Sequence, residues 1–150
     1  MPQSLASVYV HVIFSTKNRI SCIDQIVRQE LHRYTATVLK NIECHAVRIG
    51  GVSDHLHVLC RMSKTLSISG LVEEIKVPTS KWLKTKSPAL KDFHWQNGYG
   101  AFSVSPSHVE DVTTYIDQQD AHHQRRSFQD EFRRFLEKHG VKYDERYVWD

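Results

Sequence analysis

The chain has 150 residues and a formal net charge of +3; 40% of its residues are hydrophobic and 25% are charged. This is ordinary composition for one globular domain with a buried core, and a mildly basic chain permits a nucleic-acid partner without indicating one. The three cysteines share no Cys-x-x-Cys spacing, which argues against a disulfide scaffold and a zinc–cysteine site. No apolar run approaches the ~20 residues of a membrane span, which argues against a membrane-spanning protein.

The first part of the chain predicts two strands with a helix between them. Residues 8–14 are rich in β-branched and aromatic side chains, which is typical of a strand. Residues 24–40 carry an apolar stripe at helical spacing, and Asp24 can cap the predicted helix. Residues 42–49 alternate as a second strand does, and Gly50-Gly51 predicts the turn that ends it.

The middle of the chain again predicts two strands with a helix between them. Residues 55–62 predict a third strand, antiparallel to the second because the connection is short. Residues 66–86 carry a second helical stripe, in which Pro78 predicts a kink or a break. Residues 87–98 are predicted to be a loop, and residues 99–105 a fourth strand.

Two further helices are predicted after the fourth strand. Ser107-x-x-Glu110 is a capping-box pattern, and it predicts a third helix that reaches residue 121. Residues 127–139 place aromatic residues at helical spacing, and Gly140 predicts the end of this fourth helix.

The order of these elements predicts the fold. A βαββαβ order is typical of an α+β, ferredoxin-like or RRM-like antiparallel sheet with helices on one face, here with C-terminal helices added. In that arrangement the first and third strands are central. We expect a single domain over residues 1–150, with its core at about residues 8–121. The C-terminal helix and tail occupy residues 127–150, and the aromatic tail is expected to dock.

The start of the third strand carries two histidines one residue apart, His55 and His57. Side chains at i and i+2 of a strand point to the same face, about 6.6–6.8 Å apart along the chain. Both imidazoles can therefore converge on one cation or one phosphate, and Asp54 could orient one of them as a hydrogen-bond acceptor. By itself the pattern fits two half-buried histidines equally well.

A second pair of residues, Tyr115 and Gln119, shares one face of the predicted third helix because they are four residues apart. A tyrosine can act as a nucleophile. Two imidazoles and one amide oxygen would form a three-ligand metal site with open positions, suited to a weakly held Mg²⁺ or Mn²⁺. A packing tyrosine and a solvated helix end are the alternatives.

Taken together, these motifs resemble the single-tyrosine HUH transposases of the insertion-sequence-200 type. His55-Leu56-His57 matches the HUH motif (His, an apolar residue, His), and Tyr115 followed by Gln119 matches the nucleophile pattern of that family. Flanking runs also look like blocks of the family; they lie at residues 12–19, 50–55, 95–105 and 115–123.

The resemblance implies an enzyme that cleaves and rejoins single-stranded DNA at hairpins near the ends of a mobile element. His55, His57 and Gln119 would hold Mg²⁺ or Mn²⁺, and Tyr115 would attack the scissile phosphate to leave a 5′-phosphotyrosine and a free 3′-OH. It also implies a homodimer. Two alternatives stay open: a domesticated protein that binds hairpin DNA without cutting it, and a metal-dependent nuclease in which water attacks.

Other residues are candidate DNA contacts. Lys17, Asn18 and Arg19 follow a central strand and could contact phosphates, although a solvated turn explains them too. Trp95 could stack on an unpaired base, and an ordinary packing tryptophan is as consistent with the sequence. Residues 1–7 lack a charged segment followed by an apolar one, so we expect no signal peptide, no membrane partner and a location in the bacterial cytoplasm.

Overall fold

The computed structural model describes residues 2–150, so Met1 of the predicted domain lies outside the described residues. The strands are β1 Tyr9–Ser15, β2 His45–Val52, β3 His55–Arg61 and β4 Gly100–Val104. The helices are α1 Gln25–Asn41, α2 Ile68–Lys84, α3 Val109–Asp117, α4 Gln119–His123 and α5 Phe128–Lys138. Short 3₁₀ turns lie at Lys17–Arg19, Pro88–Leu90 and Pro106–His108. Within residues 2–150, every helix is too short or too polar to span a membrane.

The four strands form one sheet in the order β2-β3-β1-β4, and all neighbours are antiparallel. This confirms the predicted ferredoxin-like arrangement, with β1 and β3 in the centre. In the register of the central pair, Ser15 lies opposite His55 and Ile13 opposite His57. The two histidines therefore lie beside the end of β1. They belong to β3, a central strand that pairs with a neighbour on each side.

The two faces of the sheet are covered by different parts of the chain. Leu56, Val58 and Cys60 of β3 belong to the main core, which they share with buried side chains of α1 and α2. Because side chains alternate along a strand, His55 and His57 point to the opposite face.

That opposite face is covered by the C-terminal part of the chain. Phe128 and Phe132 of α5 pack with Ile13 and Phe102 of the sheet in a second buried cluster. The side chains of Tyr143, Val148 and Trp149 pack against this cluster, which confirms that the tail docks. The C-terminal helix thus closes the histidine face of the sheet.

Side chains cap α1 and α5, and at the first of them the predicted cap Asp24 is confirmed. The Asp24 carboxylate accepts a hydrogen bond from the backbone N–H of Val27 at 3.0 Å, at the start of α1. The Ser127 hydroxyl accepts one from the N–H of Asp130 at 3.1 Å, at the start of α5. Each bond satisfies one of the N–H groups that a helix start leaves unpaired.

Helix α2 continues through Pro78 without a break. Proline cannot donate a hydrogen bond to the carbonyl four residues earlier. Leu71 and Ile75 before the proline and Leu83 after it are fully buried in the main core. Their packing holds both halves of the helix against the sheet, which explains why the local penalty does not end it.

The turn predicted at Gly50-Gly51 lies later, at residues 53–54, and both glycines belong to β2. A Cβ at Gly50 would lie 2.5 Å from Cγ2 of Ile116, so the missing side chain lets α3 approach the sheet. Gly51 has a φ of 147°, and a Cβ there would collide with the carbonyl oxygen of His55. At these two positions glycine allows neighbouring parts of the chain to come close, and it does not form a turn.

The third helix of the structure begins later than predicted and is interrupted near its end. Residues Pro106–His108 form a 3₁₀ turn, α3 begins at Val109, and no side chain caps it, so the capping box at Ser107 is wrong. Pro106 favours this turn because its fixed φ suits a first helical position. The helix then ends at Asp117, and Gln118 (φ −98°, ψ 18°) separates α3 from α4. Tyr115 and Gln119 consequently lie on two consecutive helices.

We expect the protein to lose stability in acid partly through His32 of α1. Burial, assisted by the charge of Arg28, lowers the pKa of His32 to about 4. Between pH 6.5 and pH 4 the unfolded chain binds a proton that the folded chain does not, so stability falls as the pH falls through that window. The effect is about 3 kcal/mol at pH 4. Urea unfolding of the unaltered protein and of His32→Leu should therefore diverge as the pH is lowered; parallel curves would contradict this assignment.

Candidate active site

His55 and His57 are both buried, and each is held by a partner through its Nδ1 atom. The Nδ1–H of His55 donates to the Asp54 carboxylate at 2.6 Å, so the structure places Asp54 in the orienting position predicted for it. Nδ1 of His57 shares a hydrogen bond of 2.8 Å with Nε2 of His11, which is itself buried on β1. Both Nε2 atoms are thereby directed toward the helices that cover this face.

Glu131 of α5 lies between the two imidazoles. Its Oε1 atom is 2.9 Å from Nε2 of His57 and 3.4 Å from Nε2 of His55. Its Oε2 atom accepts hydrogen bonds from the hydroxyl of Tyr115 and, at 3.1 Å, from the amide of Gln119. Sequence reasoning missed this residue. The available signal was an acidic side chain within the apolar stripe of the last predicted helix.

Gln119 and Tyr115 meet the histidines despite the break between α3 and α4. Oε1 of Gln119 accepts a hydrogen bond from Nε2 of His55 at 2.9 Å. The Tyr115 ring stacks on His122 with centroids 4.5 Å apart, and lies 6.0 Å from the ring of His57. All the predicted catalytic and metal-binding residues therefore converge within one chain.

The charges of this cluster are strongly coupled. Burial disfavours the protonated form of His55, but the carboxylates of Asp54 and Glu131 outweigh it and raise the pKa to about 9. Burial alone would raise the pKa of Glu131, yet the charge of His57 and the histidine hydrogen bonds hold that pKa well below its usual range. Burial and then the charge of Glu131 raise the pKa of Tyr115, so its phenol is protonated at neutral pH.

The chemistry of the donor set fits a divalent cation. One ligand atom from each of His55, His57, His123 and Glu131 can be chosen so that all four lie within 4.8 Å of one another. Gln119 adds an amide oxygen in contact with His55. Imidazole nitrogens together with carboxylate and amide oxygens suit Mn²⁺ or Mg²⁺.

Tyr115 faces a cavity of about 640 Å³ between β4, α3 and α5. Its lining includes Tyr115, Glu131, His11, Arg126, Arg134 and Lys138. A second cavity, of about 720 Å³, lies on the Asp54 side of the cluster, and Arg126 borders that one too. The first cavity therefore brings Tyr115 and three basic side chains to one space.

The predicted DNA contacts lie outside this cluster. Lys17 and Asn18 are exposed in the turn after β1, and Asn18 has a φ of 58°. Arg19 donates to the backbone carbonyl of Trp149 at 3.0 Å and thus ties down the tail. Trp95 is only 6% exposed and its indole N–H donates to Thr79 at 3.0 Å. Trp95 is therefore a core residue, and its ring makes T-shaped contacts with the rings of Phe14 and Phe93.

Gly50→Ala is expected to disturb this site from a distance. The added methyl group would meet Ile116, the residue that follows Tyr115, and would push α3 away from the sheet. Such overpacking costs about 1–3 kcal/mol. We expect a lower urea midpoint than that of the unaltered protein, with Gly70→Ala in α2 as the control. Parental stability in Gly50→Ala would show that α3 has room to move.

Comparison with known proteins identifies the family. The chain matches the family described as transposase IS200 like over residues 4–119. A crystal structure of a candidate transposase from Deinococcus radiodurans R1 shares the fold, with a TM-score of 0.62 and 19% identity over 79% of this chain and 98% of that one. None of the curated proteins matches the chain.

A second structural neighbour is a REP-associated tyrosine transposase bound to a REP hairpin. Its TM-score is 0.61 at 14% identity, covering 82% of this chain and 72% of that one. At such identities the two structures support the fold alone. The family match spans more than half of the chain and includes His55, His57, Tyr115 and Gln119. The chain therefore belongs to the IS200-like transposase family.

Proposed function

We propose that this transposase cleaves and rejoins single-stranded DNA with Tyr115 as its nucleophile. The observation that carries the proposal is the convergence of the Tyr115 hydroxyl with His55, His57 and Gln119 in one buried cluster of a single chain. A DNA-binding role without cleavage would not require a tyrosine hydroxyl beside three potential metal ligands. The cavity in front of Tyr115 offers a route for a DNA phosphate.

In the proposed reaction, Tyr115 Oη attacks the phosphorus of one phosphodiester. The P–O3′ bond breaks, the phenolic proton is released, and the leaving oxygen is protonated to a free 3′-OH. The 5′ phosphate stays bonded to Tyr115, so the phosphodiester energy is conserved and a 3′-OH can later reverse the step and rejoin strands. His55, His57 and Gln119 would hold Mg²⁺ or Mn²⁺, which supplies polarisation of the scissile phosphate.

The proposed substrate is single-stranded DNA with hairpins at the ends of the element. Support comes from the positive side chains of Arg126, Arg134 and Lys138 around the cavity, because phosphate contacts dominate DNA affinity. The neighbour with a bound REP hairpin supports the same class of ligand. Lys17 and Asn18 stay candidates for phosphate contacts because they are exposed.

We further propose that the protein works as a homodimer in the cytoplasm, as a single domain. The homodimer is proposed from the family resemblance alone, because Tyr115 already lies beside the histidines of its own chain and needs no partner to reach them. Sedimentation of the protein, alone and with hairpin DNA, tests the dimer.

A denaturing gel tests the proposed reaction. Labelled single-stranded DNA from the ends that flank the gene is incubated with the protein and Mg²⁺, Mn²⁺ or EDTA. The expected result is a metal-dependent covalent protein–DNA band, with the adduct located on Tyr115 by peptide mass spectrometry. Cleavage without an adduct would identify a nuclease that uses water. Hairpin binding without cleavage in either metal would identify a domesticated hairpin-binding protein.

A further inference from the structure

The helix that supplies Glu131 lies beyond the part of the chain that matches the family. The match ends at residue 119, and α5 spans Phe128–Lys138. Glu131 is nevertheless 1% exposed and reaches the centre of the histidine cluster. Burying a carboxylate costs free energy unless its charge is compensated. The buried position of Glu131 therefore suggests that its charge has a role in the site.

The distances around Glu131 correspond to those between neighbouring ligands of one cation. An octahedral cation with ligands at about 2.1 Å separates adjacent ligand atoms by about 3.0 Å. Oε1 of Glu131 lies 2.9 Å from Nε2 of His57 and 3.4 Å from Nε2 of His55. Nε2 of His55 lies in turn 2.9 Å from Oε1 of Gln119. Each of these contacts has about the spacing of two neighbouring ligands of one cation, and ligand atoms of His55, His57 and Glu131 lie within 4.8 Å of one another.

Charge supports the same assignment. His55, His57 and Gln119 form a neutral ligand set when both imidazoles are unprotonated, and such a set does little for a hard divalent cation. A carboxylate supplies a hard, negatively charged oxygen, which Mg²⁺ and Mn²⁺ favour. His123, whose Nε2 is 3.2 Å from Oε2 of Glu131, helps to hold that carboxylate in place.

We infer that Glu131 is a fourth ligand of the proposed metal centre, brought in by the C-terminal helix. One carboxylate oxygen completes the set of His55, His57 and Gln119. The other already accepts the hydrogen bond of Tyr115, so a single side chain connects the cation to the nucleophile. The inference rests on the proposed metal-dependent function, and it assigns to α5 a role in assembling the site.

A titration with Mn²⁺ tests this without DNA. Free Mn²⁺ is followed by electron paramagnetic resonance for the unaltered protein, for Glu131→Gln and for Glu137→Gln. Glu137 is the matched control, since it is an exposed glutamate on the same helix. We expect Glu131→Gln to weaken Mn²⁺ binding at least about tenfold, and Glu137→Gln to leave it unchanged.

Equal or tighter Mn²⁺ binding by Glu131→Gln would overturn the inference. It would show that the Glu131 carboxylate is not a ligand and that it has to move away before Mn²⁺ can bind. Absence of Mn²⁺ binding by the unaltered protein would overturn it too. If thermal melting shows that Glu131→Gln does not fold, Glu131→Asp replaces it, and unchanged affinity of that shorter carboxylate is the overturning result. The DNA adduct is measured separately, so a protein that needs Glu131 for Mn²⁺ but forms no adduct contradicts only the proposed reaction.

Discussion

Tyr115→Phe is expected to abolish covalent attachment to single-stranded DNA, with a fall in rate on the order of a thousandfold or more. The substitution removes the oxygen that would form the new bond to phosphorus and leaves the ring in place between His122 and Phe135. It also removes one hydrogen bond from Glu131, which costs about 1–2 kcal/mol of stability. Hairpin binding should persist, since the cationic side chains around the cavity are unchanged.

The measurement is the single-turnover rate of adduct formation, with hairpin affinity determined in parallel. Tyr147→Phe is the matched control, because Tyr147 is 64% exposed and lies outside the cluster. An adduct that forms at the normal rate in Tyr115→Phe would assign the nucleophile to another residue. Retained cleavage without an adduct would instead show that water attacks.

His57→Ala is expected to have the second large effect, a loss of metal-dependent cleavage on the order of a thousandfold. His57 is fully buried and touches both Glu131 and His11 through its two ring nitrogens. Its removal deletes one proposed ligand and leaves two buried polar partners unsatisfied. We also expect a stability loss of about 1–3 kcal/mol.

Two readouts separate these effects. Mn²⁺ affinity reports on the ligand set, and urea unfolding reports on the fold. His45→Ala serves as the control because His45 is an exposed histidine at the start of β2. Cleavage within about tenfold of the parental rate, despite correct folding, would be inconsistent with a metal centre built on His57.

The features that the sequence predicts well depend on neighbours along the chain. The period of two along β3 places His55 and His57 on one face, and the capping side chain of Asp24 bonds within its own helix turn. The pattern of strands and helices was also sufficient for the sheet order, since few topologies accommodate βαββαβ.

The local predictions that failed involve signals with two physical meanings. A glycine pair indicates a turn, but Gly50 and Gly51 permit close approach within a strand. Ser107 has the spacing of a capping residue, but Pro106 begins a 3₁₀ turn that displaces the helix start. Trp95 is a different case, because the sequence left stacking on a base and packing equally open, and its burial in the core favours packing.

The sequence by itself determined the sheet and its central strands, and it predicted a histidine pair, a tyrosine and a glutamine as the residues of the proposed site. Only the tertiary structure decided what completes that site, because Glu131 and His11 come from elements distant in sequence. Glu131 is 74 residues from His57, and nothing in a local pattern encodes that contact. It arises because α5 buries its aromatic stripe on the open face of the sheet, which carries an acidic side chain on the same stripe into the histidine cluster.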